Sequence, residues 1–155
     1  MSNPFNNLGF KTFEFKLKTD AGKNCIFDEF RKKWIVCTPE EWVRQNLIKL
    51  LISDYSFPIS LVSIERELTV AGRKYRFDAL VYNKEFKPLM IIECKAPTVT
   101  LKQDVFDQIW NYNYVIEAPF FFITNGLTIV MGKCDKVKGV EFFDRIKKFD
   151  ELVND

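Results

Sequence analysis

Apolar and polar positions recur with different periods along the chain, and each change of period marks a predicted element. Residues 13–18 alternate apolar and charged side chains, which predicts a strand, and residues 25–36 are expected to return beside it as strand and loop. Residues 38–41, Thr-Pro-Glu-Glu, then carry the pattern of a helix start: an N-cap Thr, a Pro at the first helical position and a Glu three residues after the Thr. The predicted apolar face of this helix consists of Val43, Leu47, Leu50 and Leu51.

Three predicted strands and a second helix follow. Residues 61–70 and 73–82 have strand composition and are joined by an Ala-Gly pair, which predicts a hairpin. Residues 89–92 are continuously apolar, which is typical of a strand buried on both faces. The Thr-x-x-Gln pattern at residues 100–103 is a second capping box, and it predicts a helix that ends near residue 117.

The last part of the chain returns to strands before a final helix. Residues 119–124 predict a buried strand, an Asn-Gly pair predicts a tight turn, and residues 127–131 are expected to pair back. Residues 139–153 predict an amphipathic helix. Behind the N-terminal strands, the predicted order is helix, three strands, helix, two strands and helix. This order indicates an α/β fold in which helices cover one mixed sheet.

Composition limits the chemistry that such a fold can carry. The chain has 155 residues, 47% of them hydrophobic and 28% charged, which suits one globular domain. Its net charge of +2 excludes a histone-like polycation and permits a local basic patch. The absence of histidine excludes Ser-His-Asp and Cys-His catalysis and histidine zinc sites. Any catalysis is therefore expected to use carboxylates, Lys, Tyr, Cys or a metal bound mainly by oxygen.

The four cysteines do not indicate a metal site. None of them forms a C-x-x-C pair, so a zinc site of four thiolates is not expected, although the even count leaves a disulfide framework open. The sequence does not open with an apolar signal peptide, and its apolar runs are too short to cross a bilayer. We therefore expect buried free thiols in a cytoplasmic protein with no membrane partner.

Three charged residues lie at or near the ends of two predicted apolar strands that are neighbours in the chain. Asp78 lies in the first strand, and Glu93 and Lys95 end the next one on a common face. Charge is costly there unless it is paired or binds a metal. Two carboxylates and a backbone carbonyl would suit Mg²⁺, which prefers oxygen ligands. A lysine between two anions has a raised pKa, so we expect Lys95 to orient water and stabilise charge rather than act as a base.

These residues resemble a nuclease signature. Asp78, fourteen further residues and Glu93-Cys94-Lys95 together resemble the PD-(D/E)XK motif, with Phe at the first, variable position. Gln108 and Tyr112 on the following helix resemble the Q-x-x-x-Y element of the RecB-like and type I restriction branches. Two decoys, Glu14-Phe15-Lys16 and Glu85-Phe86-Lys87, show that Glu-x-Lys alone has no specificity, so the ordered set carries the resemblance.

The region before the motif resembles a narrower family. Residues 26–28 and 38–45 are similar to the N-terminal nuclease domain of type I restriction R (HsdR) subunits, over about residues 13–135 of this chain. In that family the residue matching Glu41 is the upstream acidic member of the site. The resemblance is to one domain of a large subunit.

The resemblance implies a fold, a division of the chain and a site. The implied fold is restriction-endonuclease-like, a mixed central sheet flanked by helices with an αβββαβ core and an N-terminal strand extension. The chain would be one domain, with an N-terminal hairpin extension at 1–37, a nuclease core at 38–135 and a C-terminal helix at 139–155. The implied site residues are Glu41, Asp78, Glu93, Lys95, Gln108 and Tyr112, and the implied metal ligands are Asp78, Glu93, Glu41 and the backbone carbonyl of Cys94.

The resemblance also implies Mg²⁺- or Mn²⁺-dependent hydrolysis of DNA, with restriction-system subunits as partners and a homodimer on the substrate. An inactive module of the same fold that binds DNA or a protein remains an alternative, as does a nuclease that acts on RNA or in repair.

Each site residue also has a purely structural explanation. Glu41 completes the capping box with Thr38, and Asp78 could be a solvated residue on a half-exposed strand. Glu93 and Lys95 could form an ordinary surface ion pair. The ordered set favours the functional interpretation.

Overall fold

The N-terminal part of the chain forms a small sheet of its own. The structure, a computed structural model, describes residue 5 and residues 7–155. Within the described residues this sheet is an antiparallel meander of β1 (Leu17–Asp20), β2 (Lys23–Asp28) and β3 (Lys33–Val36). The predicted hairpin extension at 1–37 thus gains a third strand, and its residues 1–4 and 6 lie outside the described residues.

Helix α1 (Pro39–Asp54) begins as its capping pattern predicts. The Thr38 side chain accepts the Glu41 N–H at 3.1 Å, and Pro39 occupies the first turn. The helix is buried on two sides, because Trp42 packs against the N-terminal sheet while Val43 packs against the main sheet. The apolar face predicted from the sequence is therefore only part of the buried surface of this helix.

The main sheet has six strands among the described residues, in the order β4-β5-β6-β7-β8-β9. Strands β6 and β7 are parallel, and the other neighbours are antiparallel. Helix α2 (Gln103–Ile116) makes the crossover between the parallel pair, and a 3₁₀ turn (Ile59–Leu61) precedes β4. The strands are β4 (Val62–Val70), β5 (Arg73–Tyr82), β6 (Pro88–Cys94), β7 (Phe120–Thr124), β8 (Ile129–Asp135) and β9 (Gly139–Phe142). The predicted αβββαβ core is confirmed as α1-β4-β5-β6-α2-β7.

The central strands are buried on both faces, as the apolar run at 89–92 predicts. Ile92 packs in the cluster under α1, whereas Ile91 packs in the cluster under α2. Helix α2 buries Val105 and Ile109 in the second cluster. The sheet is therefore a rigid layer between two helices, and it fixes the positions of side chains at its edges.

The start of α2 differs from the prediction. The helix begins at Gln103 with Lys102 at the N-cap, and no side chain caps it, so the predicted capping box of Thr100 and Gln103 is wrong. Gln103 is the first helical residue instead of the third, and its amide donates to Asp107 at 3.0 Å. It therefore cannot close a box with Thr100.

The predicted C-terminal helix at 139–155 is also wrong over most of its length. Residues 139–142 form β9, which pairs with β8, and only Phe149–Val153 is helical, as α3. The Asp135 side chain accepts two backbone N–H groups, at 2.8 and 2.9 Å, and closes the turn into β9. Phe149 anchors α3 by packing its ring against Phe57. Pairing with the edge of the sheet thus overrides the amphipathic pattern.

The cysteines and the helix lengths bear on two further expectations. All four cysteines are free thiols, three of them buried and Cys134 half-buried. No helix in the described part of the chain has the length and apolar composition needed to cross a membrane.

Candidate active site

Asp78 lies where β5 and β6 part. The ladder between these strands runs to the pair Ala79–Ile92, so Asp78 and Glu93 occupy the next positions on the two strands. The Cys94 N–H donates to Asp78 Oδ2 at 2.7 Å. The Asp78 carboxylate thus takes the place of a main-chain carbonyl as the acceptor of the Cys94 N–H, and this hydrogen bond fixes the orientation of the carboxylate at the end of the sheet.

Glu93 is the centre of a second set of contacts. Lys95 Nζ lies 3.1 Å from Glu93 Oε1, and the Gln108 amide donates to the same oxygen at 3.4 Å. The Gln108 amide also donates to the Tyr112 hydroxyl at 3.2 Å. The structure therefore brings together Asp78, Glu93, Lys95 and Gln108, with Tyr112 behind them.

Burial shifts the pKa values of the two carboxyl groups in the same direction. Burial, together with the charge of Asp78, raises the pKa of Glu93 to about 7. Burial also raises the pKa of Asp78, against the opposing effects of the Cys94 N–H and the Arg44 guanidinium. Burial alone would lower the pKa of Lys95, but the neighbouring carboxylates, Glu93 first, raise it. Lys95 therefore remains an ammonium ion beside two carboxyl groups that are costly to ionise.

Glu40 also interacts with this group, and the sequence analysis did not single it out. Burial raises the pKa of Glu40, and the next largest cause is the charge of Asp78. The charge of Glu40 in turn contributes to raising the pKa values of Glu93 and Lys95. The capping pattern drew attention to Glu41, whereas the preceding residue on α1 is the one that acts electrostatically on the carboxylate pair.

Glu41 is engaged by cationic and amide donors. Its side chain is 6% exposed and forms ion pairs with Arg44 and with Arg31, whose Nη2 lies 3.1 Å from Oε1. The Gln45 amide donates to Oε1 at 2.8 Å. The spacings of three and four residues place Arg44 and Gln45 on the same side of α1 as Glu41. Among the contacts of the described residues, Glu41 thus belongs to an ion-pair network beside the carboxylate pair.

Arg44 connects that network to the candidate site. Its Nη1 lies 3.2 Å from Asp78 Oδ1 and 3.2 Å from a Glu65 carboxylate oxygen. Arg31 also contacts Glu65, and it pairs with the fully buried Asp28. Buried ion pairs need such hydrogen-bonded partners, because an unpaired charge at these positions is costly. A continuous chain of contacts therefore runs from the N-terminal sheet to Asp78.

Glu65 occupies an irregular position in β4. It has a φ of 50°, and the register passes from Ile64–Ala79 to Arg66–Phe77 without pairing it. A positive φ is uncommon for a residue other than glycine and indicates local strain. The sequence carries no local signal for this contact, since Glu65 and Arg31 are 34 residues apart. The spacing of Arg44 and Gln45 from Glu41 would have been a usable signal.

The donor set suits a hard divalent cation. Asp78 and Glu93 present carboxylate oxygens from adjacent strands, and a divalent cation would relieve the repulsion that raises the Glu93 pKa. Mg²⁺ commonly takes one or two carboxylates and keeps several waters. No cluster of three or more His, Cys, Asp or Glu side chains in the described residues is placed to hold a metal ion. The structure thus offers a pair of carboxylates, and the predicted carbonyl ligand of Cys94 stays a prediction.

The fold and the site together define a class. A mixed sheet with an αβββαβ core and acidic residues where β5 and β6 part is a restriction-endonuclease-like α/β fold. The family model described as the type I restriction enzyme R protein N terminus (HSDR_N) matches residues 39–149. The chain belongs to that family.

Similarity to one solved structure agrees with this fold. An HsdR-assigned fragment of a type I restriction enzyme from Vibrio vulnificus YJ016 is 21% identical, with a TM-score of 0.50. The alignment covers 70% of this chain and 23% of that one, so this chain spans about a quarter of the other's length. The crystal structure of SSO0001 aligns over 72% of this chain and 52% of its own, with 16% identity and a TM-score of 0.31. No curated protein matches the chain.

Proposed function

We propose that this domain hydrolyses phosphodiester bonds of DNA, with Mg²⁺ or Mn²⁺ held by Asp78 and Glu93. The observation that carries the proposal is the buried Glu93 beside the half-buried Asp78 on adjacent strands, with the Lys95 ammonium 3.1 Å from Glu93. A carboxyl pair of this kind costs stability when it ionises, so its presence favours a functional explanation. Membership of the type I restriction R family supports a nuclease context.

Each side chain would have a distinct task. Asp78 and Glu93 would hold the cation together with the Cys94 carbonyl, and the Cys94 N–H keeps Asp78 oriented. When bound, the metal would supply Lewis-acid stabilisation and lower the pKa of a water molecule. Lys95, 24% exposed, would place its ammonium group against the phosphate or the attacking water and offset developing negative charge. Its raised pKa makes it a poor general base at neutral pH.

Gln108 and Tyr112 would act by holding Glu93. The Gln108 amide donates to Glu93 and to the Tyr112 hydroxyl, so it limits rotation of the carboxylate. Tyr112 is fixed in turn by edge contacts with the rings of Tyr75 and Phe77. A restrained ligand reaches its bound geometry with a smaller loss of side-chain entropy.

Two acidic residues of α1 would have different parts. Glu40 would add a third negative charge near the cation, since it already interacts with Asp78 and Lys95. We propose that Glu41, the upstream acidic residue of the family resemblance, supports the site through its ion pair with Arg44. Direct ligation of the cation by Glu41 would require its carboxylate to give up its contacts with Arg44, Arg31 and Gln45.

A second candidate function is binding without catalysis. Arg44 Nη1 lies 3.2 Å from Asp78 Oδ1, so one oxygen of a proposed metal ligand already has a cationic partner. This contact favours a domain that binds DNA or a protein without cleaving it, because Arg44 occupies an oxygen that a metal would need. A protein of this kind would bind DNA yet leave it intact in isolation.

The partners proposed for the domain are DNA and other subunits of a restriction system. The family assignment supports both, because the matched region belongs to the R subunit of type I restriction enzymes. A homodimer that forms on the substrate stays a prediction, as do the alternatives of RNA as the substrate and of a role in repair.

The test is nicking of supercoiled plasmid with Mg²⁺ or Mn²⁺. The wild type should nick, whereas Asp78→Asn, which keeps an acceptor for the Cys94 N–H, and Lys95→Ala should lose at least about a hundredfold in rate. Glu85→Gln, which removes an exposed carboxylate, is the matched control and should nick like the wild type. Equal nicking by all variants would refute the site, and a wild type that binds plasmid without nicking would favour the second function.

A further inference from the structure

The positive charge of the chain is concentrated near its N-terminus. Residues 11–36 contain seven basic and four acidic side chains, an excess of three, whereas the whole chain has a net charge of +2. Asp28 and Arg31 within this segment pair with each other inside the protein. The excess is therefore carried by the remaining side chains of this segment. The family match begins at residue 39, so the segment lies outside it.

One face of the N-terminal sheet is buried and the other faces solvent. Leu17, Ile26 and Ile35 are register partners across the three strands, and they pack with Trp42 of α1. Side chains alternate between the faces of a strand, so Trp34 points away from α1. Its side chain is 40% exposed.

The outward face combines lysines with aromatic rings. Trp34 and Phe27 are register partners, and their rings meet edge to face with centroids 5.4 Å apart. Lys18 Nζ lies 4.7 Å from the Trp34 ring centroid, and Lys16 Nζ lies 5.7 Å from that of Phe27. Asp20 also approaches Lys18, at 3.5 Å, but an exposed pair of this kind contributes little and exchanges readily for a phosphate.

This face ends close to the ion-pair network of the candidate site. The register pair next to Phe27–Trp34 is Asp28–Lys33, and the turn between them carries Arg31. Arg31 contacts Glu41 at 3.1 Å, and Glu41 pairs with Arg44, the partner of Asp78. The lysines and aromatic rings therefore lie one register pair from the turn whose Arg31 contacts the network of the candidate site.

We propose that the lysine–tryptophan face, defined by Lys16, Lys18, Phe27 and Trp34, binds single-stranded DNA. The ammonium groups would pair with phosphates, and the Trp34 ring would stack with a base while Phe27 supports it from the side. A protein partner fits less well, because lysine is depleted at the centres of protein interfaces. In its choice of DNA as the ligand, the inference rests on the proposed function.

The test is binding of a labelled single strand of about 15 nucleotides, followed by fluorescence anisotropy in EDTA. Trp34→Ala should weaken binding at least about fivefold, because stacking of one base is lost. Lys16→Gln/Lys18→Gln should weaken binding and lower the slope of log affinity against log salt by about 1.4, for two phosphates on a single strand. The lysine variant changes the exposed Lys16 and the half-buried Lys18, whose side chain is 40% exposed, so its result holds even if Trp34→Ala fails to fold.

Matched controls come from the loop between β5 and β6. Phe86 is 73% exposed, and Lys84 and Lys87 flank it, so this loop also offers an exposed ring and two lysines. Phe86→Ala and Lys84→Gln/Lys87→Gln should bind the single strand like the wild type. A loss in these controls as large as in the variants of the N-terminal sheet would show nonspecific charge attraction and overturn the proposal.

A duplex of the same sequence separates stacking from charge. Trp34→Ala should weaken single-strand binding more than duplex binding, because paired bases cannot stack on the ring. Equal losses for both ligands, unchanged binding in both variants, or no binding of the single strand by the wild type would each overturn the proposal. EDTA removes metal-dependent cleavage, so binding is measured independently of nicking. A wild type that binds the single strand but does not nick plasmid with Mg²⁺ or Mn²⁺ refutes the nuclease. A wild type that nicks, while the Trp34 and lysine variants bind like it, refutes the lysine–tryptophan face.

Discussion

The buried carboxyl of Glu93 should make the stability of the domain depend on pH. Its pKa is raised from an ordinary value of 4.5 to about 7 by burial and by Asp78. Between these values the folded state binds more protons than the unfolded state, so the free energy of unfolding falls as pH rises. Below about pH 4.5 this penalty is absent, and above about pH 7 it is complete.

The size of the effect follows from the shift. Each unit of pKa difference corresponds to about 1.4 kcal/mol, so a shift from 4.5 to about 7 corresponds to about 3 kcal/mol. Glu93→Gln removes the ionisation but keeps the shape of the side chain. Below about pH 7 the folded wild type keeps Glu93 protonated, so neither protein carries a charge at this position. Above about pH 7 the wild type bears the cost of ionising Glu93, which remains after its attraction to Lys95 is included, and the variant avoids that cost. The difference in unfolding free energy, variant minus wild type, should therefore rise by about 3 kcal/mol between pH 4.5 and pH 8.

The assay is urea unfolding followed by tryptophan fluorescence in EDTA, at pH values from 4.5 to 8. Glu85→Gln removes an exposed carboxylate and controls for the loss of one charge. A Glu93→Gln difference that is the same at every pH would refute the reasoning, because the carboxyl would then not be buried beside Asp78.

Three further predictions concern the ion-pair network, the packing of β8 and β9, and the proposed metal site. Arg44→Met removes the guanidinium that pairs with Asp78 and Glu41. The unfolding free energy measured in urea should fall by about 3 to 5 kcal/mol, and a loss below about 1 kcal/mol would contradict the network. Gly132→Ala places a Cβ 2.3 Å from the Glu141 carbonyl oxygen and should cost about 1 to 3 kcal/mol in thermal unfolding, unlike a change at an open position. Mn²⁺ affinity measured by calorimetry should rise about tenfold per pH unit up to about pH 7 and then level off, since the metal displaces the Glu93 proton; a flat profile would argue against Glu93 as a ligand.

Local patterns in the sequence were enough to predict which side chains meet at the centre of the candidate site. The apolar run before Glu93 and the strand that carries Asp78 predict two buried neighbouring strands, and the period of two places Lys95 on the face of Glu93. Their contacts follow from a register that is fixed by burial on both faces. Gln108 and Tyr112 follow from the helical spacing of four.

The ion-pair network around this centre depends on contacts between residues far apart in the sequence, which local patterns do not predict. Glu41 fits the capping pattern, yet its carboxylate binds Arg31, which arrives from a separate sheet. Glu65 meets Arg44 at a position where the register of β4 is irregular, opposite Asp78. Long-range contacts of this kind arise from the packing of the N-terminal sheet against α1.

In the C-terminal region, a local pattern predicts a helix where a long-range contact produces a strand. Residues 139–153 have an amphipathic pattern, but 139–142 lie beside the free edge of β8 and pair with it. Unpaired edges attract extended segments, and this gain outweighs a weak helical preference. Only Phe149–Val153 keeps helical structure, where Phe149 and Leu152 are buried.

The central claim is that Asp78 and Glu93 hold a divalent cation, and Mn²⁺ binding to the isolated protein tests it most directly. Calorimetric titration should give one Mn²⁺ site in the wild type and in Glu85→Gln. Asp78→Asn should weaken that site at least about tenfold, because one carboxylate ligand is lost. Absence of Mn²⁺ binding in the wild type, or equal affinity in Asp78→Asn, would contradict the account.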